Sequence, residues 1–319
     1  MNVNLEQLRG FVEVAQLGHF TRAAERLHLA QPSLSRQISS LEADLGIELF
    51  HRARGNVTLT AAGERLLPLA RRMLADAGTA RSEMAELAGL RRGRVRLGAT
   101  PTLCTSLVAE VLVEFRVRHP GIDVEILERG SRSLIAALVE GSLDLALIVT
   151  SVSSGVARAV IEREPILSER LVVVSAASEP DPFERPAATA AVELRELARV
   201  PQISFPESYD LRVALDAAFR DEGLTPAVAV QGAEMDAALR FAERGIGVAV
   251  VPAMVAVERP ALRSAPLGGD ALTRTVSVAR RADMAPTHAS RALRALVGET
   301  ADGLAAPGSR TAHLVSRVR

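Results

Sequence analysis

The chain has 319 residues, 48% hydrophobic and 24% charged, which suits two or three globular domains with sizeable cores rather than a disordered or fibrous chain. Its 38 basic residues, all arginine, balance 38 acidic ones, which on its face argues against a nucleic-acid partner. The acids near the N-terminus, however, lie outside 26–41 and 49–63, so such contact would rest on a few positioned side chains. A single cysteine, Cys104, excludes an internal disulfide. The start is neither basic nor followed by an apolar run, and no stretch approaches about 18 unbroken apolar residues. A cytoplasmic protein with no membrane partner is expected.

Residues 4–17 read as a first helix, with Asn4 and Gln7 spaced as a capping box, a stripe of Leu8, Phe11, Val12 and Ala15, and Gly18 as its stop. Residues 21–28 read as a short second helix capped by Thr21 that buries Ala23, Ala24 and Leu27. A third begins at Gln31-Pro32, where proline suits the first turn, and Gly46 ends it. Its apolar residues Leu34, Ile38, Leu41 and Leu45 form one stripe, and the remaining faces carry Gln31, Ser33, Ser35, Arg36, Gln37 and Ser39. No acidic residue lies between Arg26 and Leu41. A helix about 10–12 Å across with such a face fits the DNA major groove. This is the pattern of a helix-turn-helix with 31–45 as recognition helix. Its candidate contacts are Thr21, Arg22, Gln31, Pro32, Ser33, Ser35, Arg36 and Ser39.

Residues 47–50 and 57–59 read as two short strands around HRARGN, with Gly55-Asn56 in the turn, which makes the domain a winged helix-turn-helix. His51, Arg52 and Arg54 then stand on the wing, suited to phosphates or the minor groove; the plain alternative is a solvated hairpin tip. Thr60 caps a long helix running to about 87, and Leu66, Ala70, Met73, Ala77, Ala80, Met84 and Leu87 alternate spacings of four and three. A seam this narrow predicts pairing with a second copy, against the alternative of a helix buried in its own domain, and Pro68 predicts a bend in its first turns. Residues 88–93, AGLRRG, have the character of a hinge.

The phrases FTRAAERL, QPSLSRQI, LEADLGIELF and LTAAG follow one another within residues 5–63, and this run closely resembles the N-terminus of LysR-type transcriptional regulators. The resemblance implies that the long helix is a dimerisation linker. It also implies a homodimer or homotetramer on a partly palindromic duplex, with RNA polymerase as a further partner and a small-molecule effector in place of a cofactor.

Beyond 93 strands alternate with helices. Apolar runs at 95–99, 122–127 and 143–149 flank helical stretches at 103–118 and 133–140. A second set places strands at 171–175, 203–205, 228–231 and 248–251 with helices at 211–222 and 234–243, and 275–279 with a helix at 290–297 completes it. The alternation argues for an α/β domain with parallel strands. By resemblance it is a two-lobed, periplasmic-binding-protein-like effector domain. The chain then divides into 1–60 (DNA-binding), 61–92 (linker and hinge) and 93–300, with lobe I at 93–163 plus 268–300 and lobe II at 164–267. Residues 301–319, with ADGLAAPGSR, read as a mobile tail.

Open α/β sheets bind ligands beyond the carboxyl ends of their strands. Thr100, Pro101 and Thr102 follow the first strand and suit a carboxylate or other anion, a loop where the family places effector contacts. Ser131 and Thr150 follow the next two strands, and Ser204, Phe205 and Ser208 would face them from the other lobe. Each hydroxyl alone is commonly a cap or turn former. Cys104, one turn into the following helix, is placed either for a stabilised thiolate or for an inert buried thiol. Gly245-Ile246-Gly247 lacks the third glycine of a dinucleotide fingerprint and reads as a helix-to-strand turn. The six histidines have no metal spacing, and no activated nucleophile stands out, which disfavours an enzyme. A transport-type solute binder would carry no DNA reader. A ligand-responsive transcription factor accounts for both ends of the chain.

Overall fold

The computed structural model describes residues 3–53, 56–87, 93–150, 160–185, 190–207, 209–257, 259–268 and 272–318. In α1 (Leu5–Leu17) the Asn4 and Gln7 side chains each accept the other's backbone N–H at 2.9 Å, and Gly18 closes the helix at φ 65°. α2 (Phe20–Arg26) has extended His19 as its N-cap. Thr21 is therefore not the cap but lies inside the first turn, because Phe20 is drawn onto the Phe50 ring at 5.9 Å and the helix starts before it. α3 (Gln31–Leu45) keeps Pro32 in its first turn and ends on Gly46 at φ 70°. Leu34, Ile38 and Leu41 are fully buried against Leu8, Phe11 and Val14 of α1.

The wing is β1 (Phe50–Ala53) paired antiparallel with β2 (Asn56–Leu59), in register from Phe50↔Leu59 to Ala53↔Asn56. The first strand thus begins three residues later than the sequence suggests. The Leu49 N–H goes to the Glu42 carboxylate at 2.9 Å instead of to a partner strand, and Leu49 and Phe50 turn into the core.

α4 (Ala61–Leu87) starts at Thr60, whose Oγ1 accepts the Gly63 N–H at 3.1 Å, and it runs on through Pro68. Its seam divides. Ala70 is 0% exposed and, with half-buried Leu66, packs into the core of the DNA-binding domain, so these first turns are covered in part by their own chain. Met73 (49% exposed) and Met84 (61%) project from the surface, Ala80 is exposed and Ala77 half-buried. The Leu87 side chain lies outside the described residues.

The rest of the chain is a two-lobed α/β domain. β3 (Gly93–Ala99) leads into a continuous helical run of α5 (Pro101–Leu103), a π turn (Cys104–Val108) and α6 (Ala109–Arg118). Then come β4 (Ile122–Glu128), α7 (Ser131–Val139) and β5 (Leu145–Thr150). β3 lies between β4 and β5, parallel to both, with Ala99 opposite Glu128 and Leu147. β6 (Ile161–Ala176) is longer than expected and crosses between lobes. Lobe II follows as α8 (Leu194–Leu197), β7 (Gln202–Ser204), α9 (Asp210–Asp221), β8 (Val228–Gln231), α10 (Met235–Glu243), β9 (Ala249–Pro252), α11 (Ala253–Ala256) and β10 (Leu262–Pro266). β11 (Thr273–Arg281) returns to lobe I, followed by α12 (His288–Ala305) and β12 (Val315–Arg317).

Residues 161–170 of β6 pair with β11, and 171–176 pair with β9 and β10. The handover between lobes therefore falls at Arg170/Leu171, several residues beyond the expected 163/164. Because β6 and β11 are direct return crossings, they run antiparallel and the sheet is mixed, not all parallel. Gly245, at φ +72°, ends α10, and Gly247 packs so closely on the Pro201 carbonyl oxygen that a Cβ would lie 2.6 Å from it, as a helix-to-strand turn requires. The expected mobile tail is part of the fold: α12 extends to Ala305, Thr311, Leu314 and Val315 are buried, and Val315 pairs with Glu169 of β6. The low-complexity stretch before it hides this short apolar pair in the sequence.

Candidate DNA-binding face and effector cleft

The three buried leucine and isoleucine positions of α3 fix which face it shows to solvent. Gln31, Pro32, Arg36 and Ser39 are exposed on that face, Ser33 and Ser35 are half-buried, and Thr21 and Arg22 of α2 are exposed beside it. Gln7, buried in α1, donates to Ser40 at 3.2 Å and pins the back of α3. Arg26 pairs with Glu13 at 2.9 Å, so that arginine braces α2 on α1, while neither Arg22 nor Arg36 forms an ion pair among the described residues. β1 carries the Arg52 backbone; the Arg52 side chain and all of Arg54 lie outside the described residues.

In the effector domain the carboxyl ends of β3, β4 and β5 bring Thr100, Glu128–Ser131 and the Thr150 backbone to one edge. The Thr150 side chain and Ser208 lie outside the described residues. Thr100 is buried with Oγ1 unpartnered among the described residues, and Pro101 is half-buried. Thr102 is buried too, but its Oγ1 accepts from Arg274 Nη1 at 2.8 Å. Ser131 Oγ accepts the Val149 N–H at 3.0 Å, so it ties α7 to β5. Ser204 is engaged by Arg212, which also grips Asp216 at 2.7 Å within lobe II. Phe205 is buried and stacks on Tyr209 at 5.6 Å with an 8° interplanar angle. Ser204 is thus engaged within its own lobe, and Phe205 is buried in a hydrophobic cluster that also holds Ala99 and Leu103 of lobe I.

The sequence did not single out the residues that join the lobes here. Glu169, fully buried on β6, accepts from Arg274 Nε and from the Met254 N–H, both at 2.7 Å. Arg274 stands opposite it in the β6–β11 register and reaches lobe I through Thr102. A carboxylate within the run LSERLVVV was the available signal. Tyr209 donates to Glu234; burial first, then that bond and the charges of Glu234 and Glu128, hold its phenol well above the ordinary range. Burial also pushes the Cys104 thiol up to about 11, with Glu128 as its neighbour. The thiolate-stabilising reading of Cys104 fails on this ground: the half-buried sulfur faces a carboxylate, which outweighs the helix start.

Among the described residues no group of three or more potential metal ligands occurs, and no helix is long and apolar enough to cross a membrane. Residues 5–64 match the family model for the bacterial regulatory helix-turn-helix protein of the lysR family, and residues 88–302 match the LysR substrate binding domain. The chain is 33% identical over 261 residues to the uncharacterized HTH-type transcriptional regulator YnfL of Escherichia coli, covering 79% of this chain and 83% of that one. It is 29% identical over 279 residues to a probable nitrogen assimilation transcriptional activator of Synechococcus elongatus, covering 86% and 88%. Among solved structures, full-length OxyR from Pseudomonas aeruginosa superposes with a TM-score of 0.70 at 25% identity, covering 95% of each chain. Full-length CbnR complexed with its target DNA gives 0.66 at 25% identity, covering 93% of this chain and 100% of that one. With a DNA-reading N-terminus and a substrate-binding domain over most of its length, the chain belongs to the LysR family of bacterial transcriptional regulators.

Proposed function

We propose that this regulator acts in the cytoplasm as a homodimer or homotetramer that reads a partly palindromic operator with α3, engages RNA polymerase, and changes its DNA binding or bending when a small molecule enters the interlobe cleft. The observation that carries the reading is α3 itself, anchored on α1 by Leu34, Ile38 and Leu41 with Gln31, Pro32, Arg36 and Ser39 turned outward. Arg36 suits a guanine edge and Arg54, between the two wing strands in sequence, a phosphate or the minor groove. The solved complex of CbnR with its target DNA supports duplex DNA as the partner. Met73, Ala77, Ala80 and Met84 are the surface through which a second copy would pair with α4.

Fluorescence anisotropy on an operator and a scrambled duplex, across a salt series, tests the assignment. Arg36→Ala is expected to cost about 1–3 kcal/mol on the operator and relax base preference in each half-site. Arg54→Ala is expected to weaken both duplexes alike and lower the salt slope by about one unit. Equal losses for both variants on both duplexes would reduce Arg36 to a backbone grip, and no loss for either would remove α3 as the reader.

A further inference from the structure

The junction of the lobes, where the effector cleft is proposed, is polar in two opposite senses. On one side Arg274 spends Nε on Glu169 and Nη1 on Thr102, while Nη2 is buried with no partner among the described residues. Thr102 leads back to Thr100, which is 7% exposed and keeps an equally buried, unpartnered Oγ1. Buried polar atoms are nearly always satisfied in folded proteins, so two such atoms, one on Arg274 and one two residues before its partner Thr102, point to an oxygen-bearing ligand at these strand ends.

Beside these atoms the surroundings are acidic. Glu128 ends β4 directly opposite Ala99, the residue before Thr100. It faces the Cys104 thiol, and its charge reaches Tyr209 of lobe II. Tyr209 in turn donates to Glu234, so the phenol bonds one carboxylate of lobe II and feels the charge of one from lobe I. Neither Glu128 nor Glu234 has an ion-pair partner among the described residues; Arg129 bonds the Glu128 backbone carbonyl at 2.8 Å and not its carboxylate. Arg274, by contrast, is already balanced by Glu169.

The unmet buried atoms call for an oxygen, and the two exposed carboxylates, with no ion-pair partner among the described residues, favour a cation beside it. A simple anion would answer only the first and be opposed by both carboxylates; a simple amine would answer only the second. Thr100 lies one residue beyond the level of Glu128, and neighbouring strands lie roughly 4.8 Å apart, so one small molecule at these strand ends can reach both. Building on the reading of this cleft as the effector site, we propose that the effector is a small zwitterion of the α-amino acid class. Its carboxylate meets Arg274 Nη2 and Thr100 Oγ1, and its ammonium meets Glu128 and Glu234. Arg274 and the glutamate pair are then the residues that set specificity, and closure of Tyr209 and Glu234 over the ammonium couples the lobes.

The test uses the full-length protein, with thermal-shift and calorimetric titration of the standard α-amino acids, the N-acetyl and carboxamide derivatives of each, and a panel of small mono- and dicarboxylates. At least one amino acid is expected to raise the melting midpoint, as selective binding to the native state must. Both of its capped derivatives are expected to bind roughly tenfold more weakly or worse, a loss on the order of one charge-assisted contact. Glu128→Gln, Glu234→Gln and Thr100→Val should each weaken it similarly, with folding checked by circular dichroism. An N-acetyl derivative or simple carboxylate that binds as well as any amino acid, lost in Thr100→Val but kept in both glutamate variants, overturns the zwitterion and leaves the cleft as the effector site. Binding that ignores all three substitutions, or no binding from any panel, overturns both.

Discussion

A Cβ built on Gly63 would lie 2.3 Å from the Leu49 carbonyl oxygen and 2.8 Å from Leu59 Cδ2, where the wing closes on the first turn of α4. Alanine usually stabilises a helix by about 1 kcal/mol over glycine. Here the overlap is with backbone, which cannot swing aside, and overpacking of this kind costs about 1–3 kcal/mol. Gly63→Ala is therefore expected to lower the urea midpoint of the DNA-binding domain, and a raised midpoint would show that wing and helix separate freely. At Cys104 the thiol stays protonated through neutral pH because its pKa is about 11. Alkylation by iodoacetamide should be slow at pH 7–9, below the rate of a free cysteine, whose thiolate forms near 8.5, and should climb only as pH nears 11. Fast labelling at pH 7 would place a thiolate there. Legibility at this scale was uneven. Thr100 and Thr102 could be picked out because they follow a strand and open a helix. Arg274 could not, since TRTVSVARR reads as a strand with charged ends until β11 is laid beside β6 and sets it against Glu169.

Helices carried the clearest sequence signals because their caps and stripes are local. The Asn4–Gln7 box, Gly18, Gly46 and the Leu34–Ile38–Leu41 stripe all stand where the sequence put them. Strands whose partners are distant were harder: β10 and β12 went unseen and β6 was seen only in its second half, since each is defined by pairing across the fold. α4 shows both sides of this. Its heptad spacing is real, but spacing cannot say which neighbour covers each turn, and α1 covers Ala70. The two halves should therefore respond differently to a buried charge. Met73→Asp with Met84→Asp is expected to shift the protein toward monomer and weaken operator binding together, because each carboxylate would be buried against its copy. Ala70→Asp should instead unfold the DNA-binding domain, costing about 3 kcal/mol or more. Sedimentation and urea unfolding separate these outcomes, and dimers that survive the double substitution would remove α4 as the pairing surface.

At the scale of the whole molecule, the middle of α4 joins the DNA-reading end to the effector domain. Arg71 pairs with Glu140 at 2.7 Å, Arg72 meets Asp283, and Arg281, nearly buried, bridges Asp76 at 3.2 Å and Asp283 at 2.9 Å. Ala75 fits against Gly141, where a Cβ would come within 2.8 Å of the Ala75 methyl. The order of domains was legible from the linked phrases of the N-terminus, but this contact was not, because its partners are separated by up to 211 positions in the chain. Arg281 is the one member that both aspartates share. Arg281→Met keeps its apolar stem and leaves two aspartates exposed enough to regain water, so the expected loss is about 1–2 kcal/mol, less than for a wholly buried pair. Hydrogen exchange should then quicken in the middle turns of α4 while those packed on α1 stay protected. The pH dependence has a definite sign. The bond to Arg281, and then the charges of Arg281 and Arg72, hold Asp283 below the ordinary aspartate range. A depressed carboxylate contributes stability that is fully present above the unfolded value near 3.9 and is lost as pH falls through the lower folded one. Protection of α4 should accordingly be flat from pH 7 to 5 and decline only below about 4, and Arg281→Met should shrink that decline without abolishing it, since Arg72 still pairs with Asp283. A loss of protection already at pH 6 would assign the contact to a histidine rather than to Asp283.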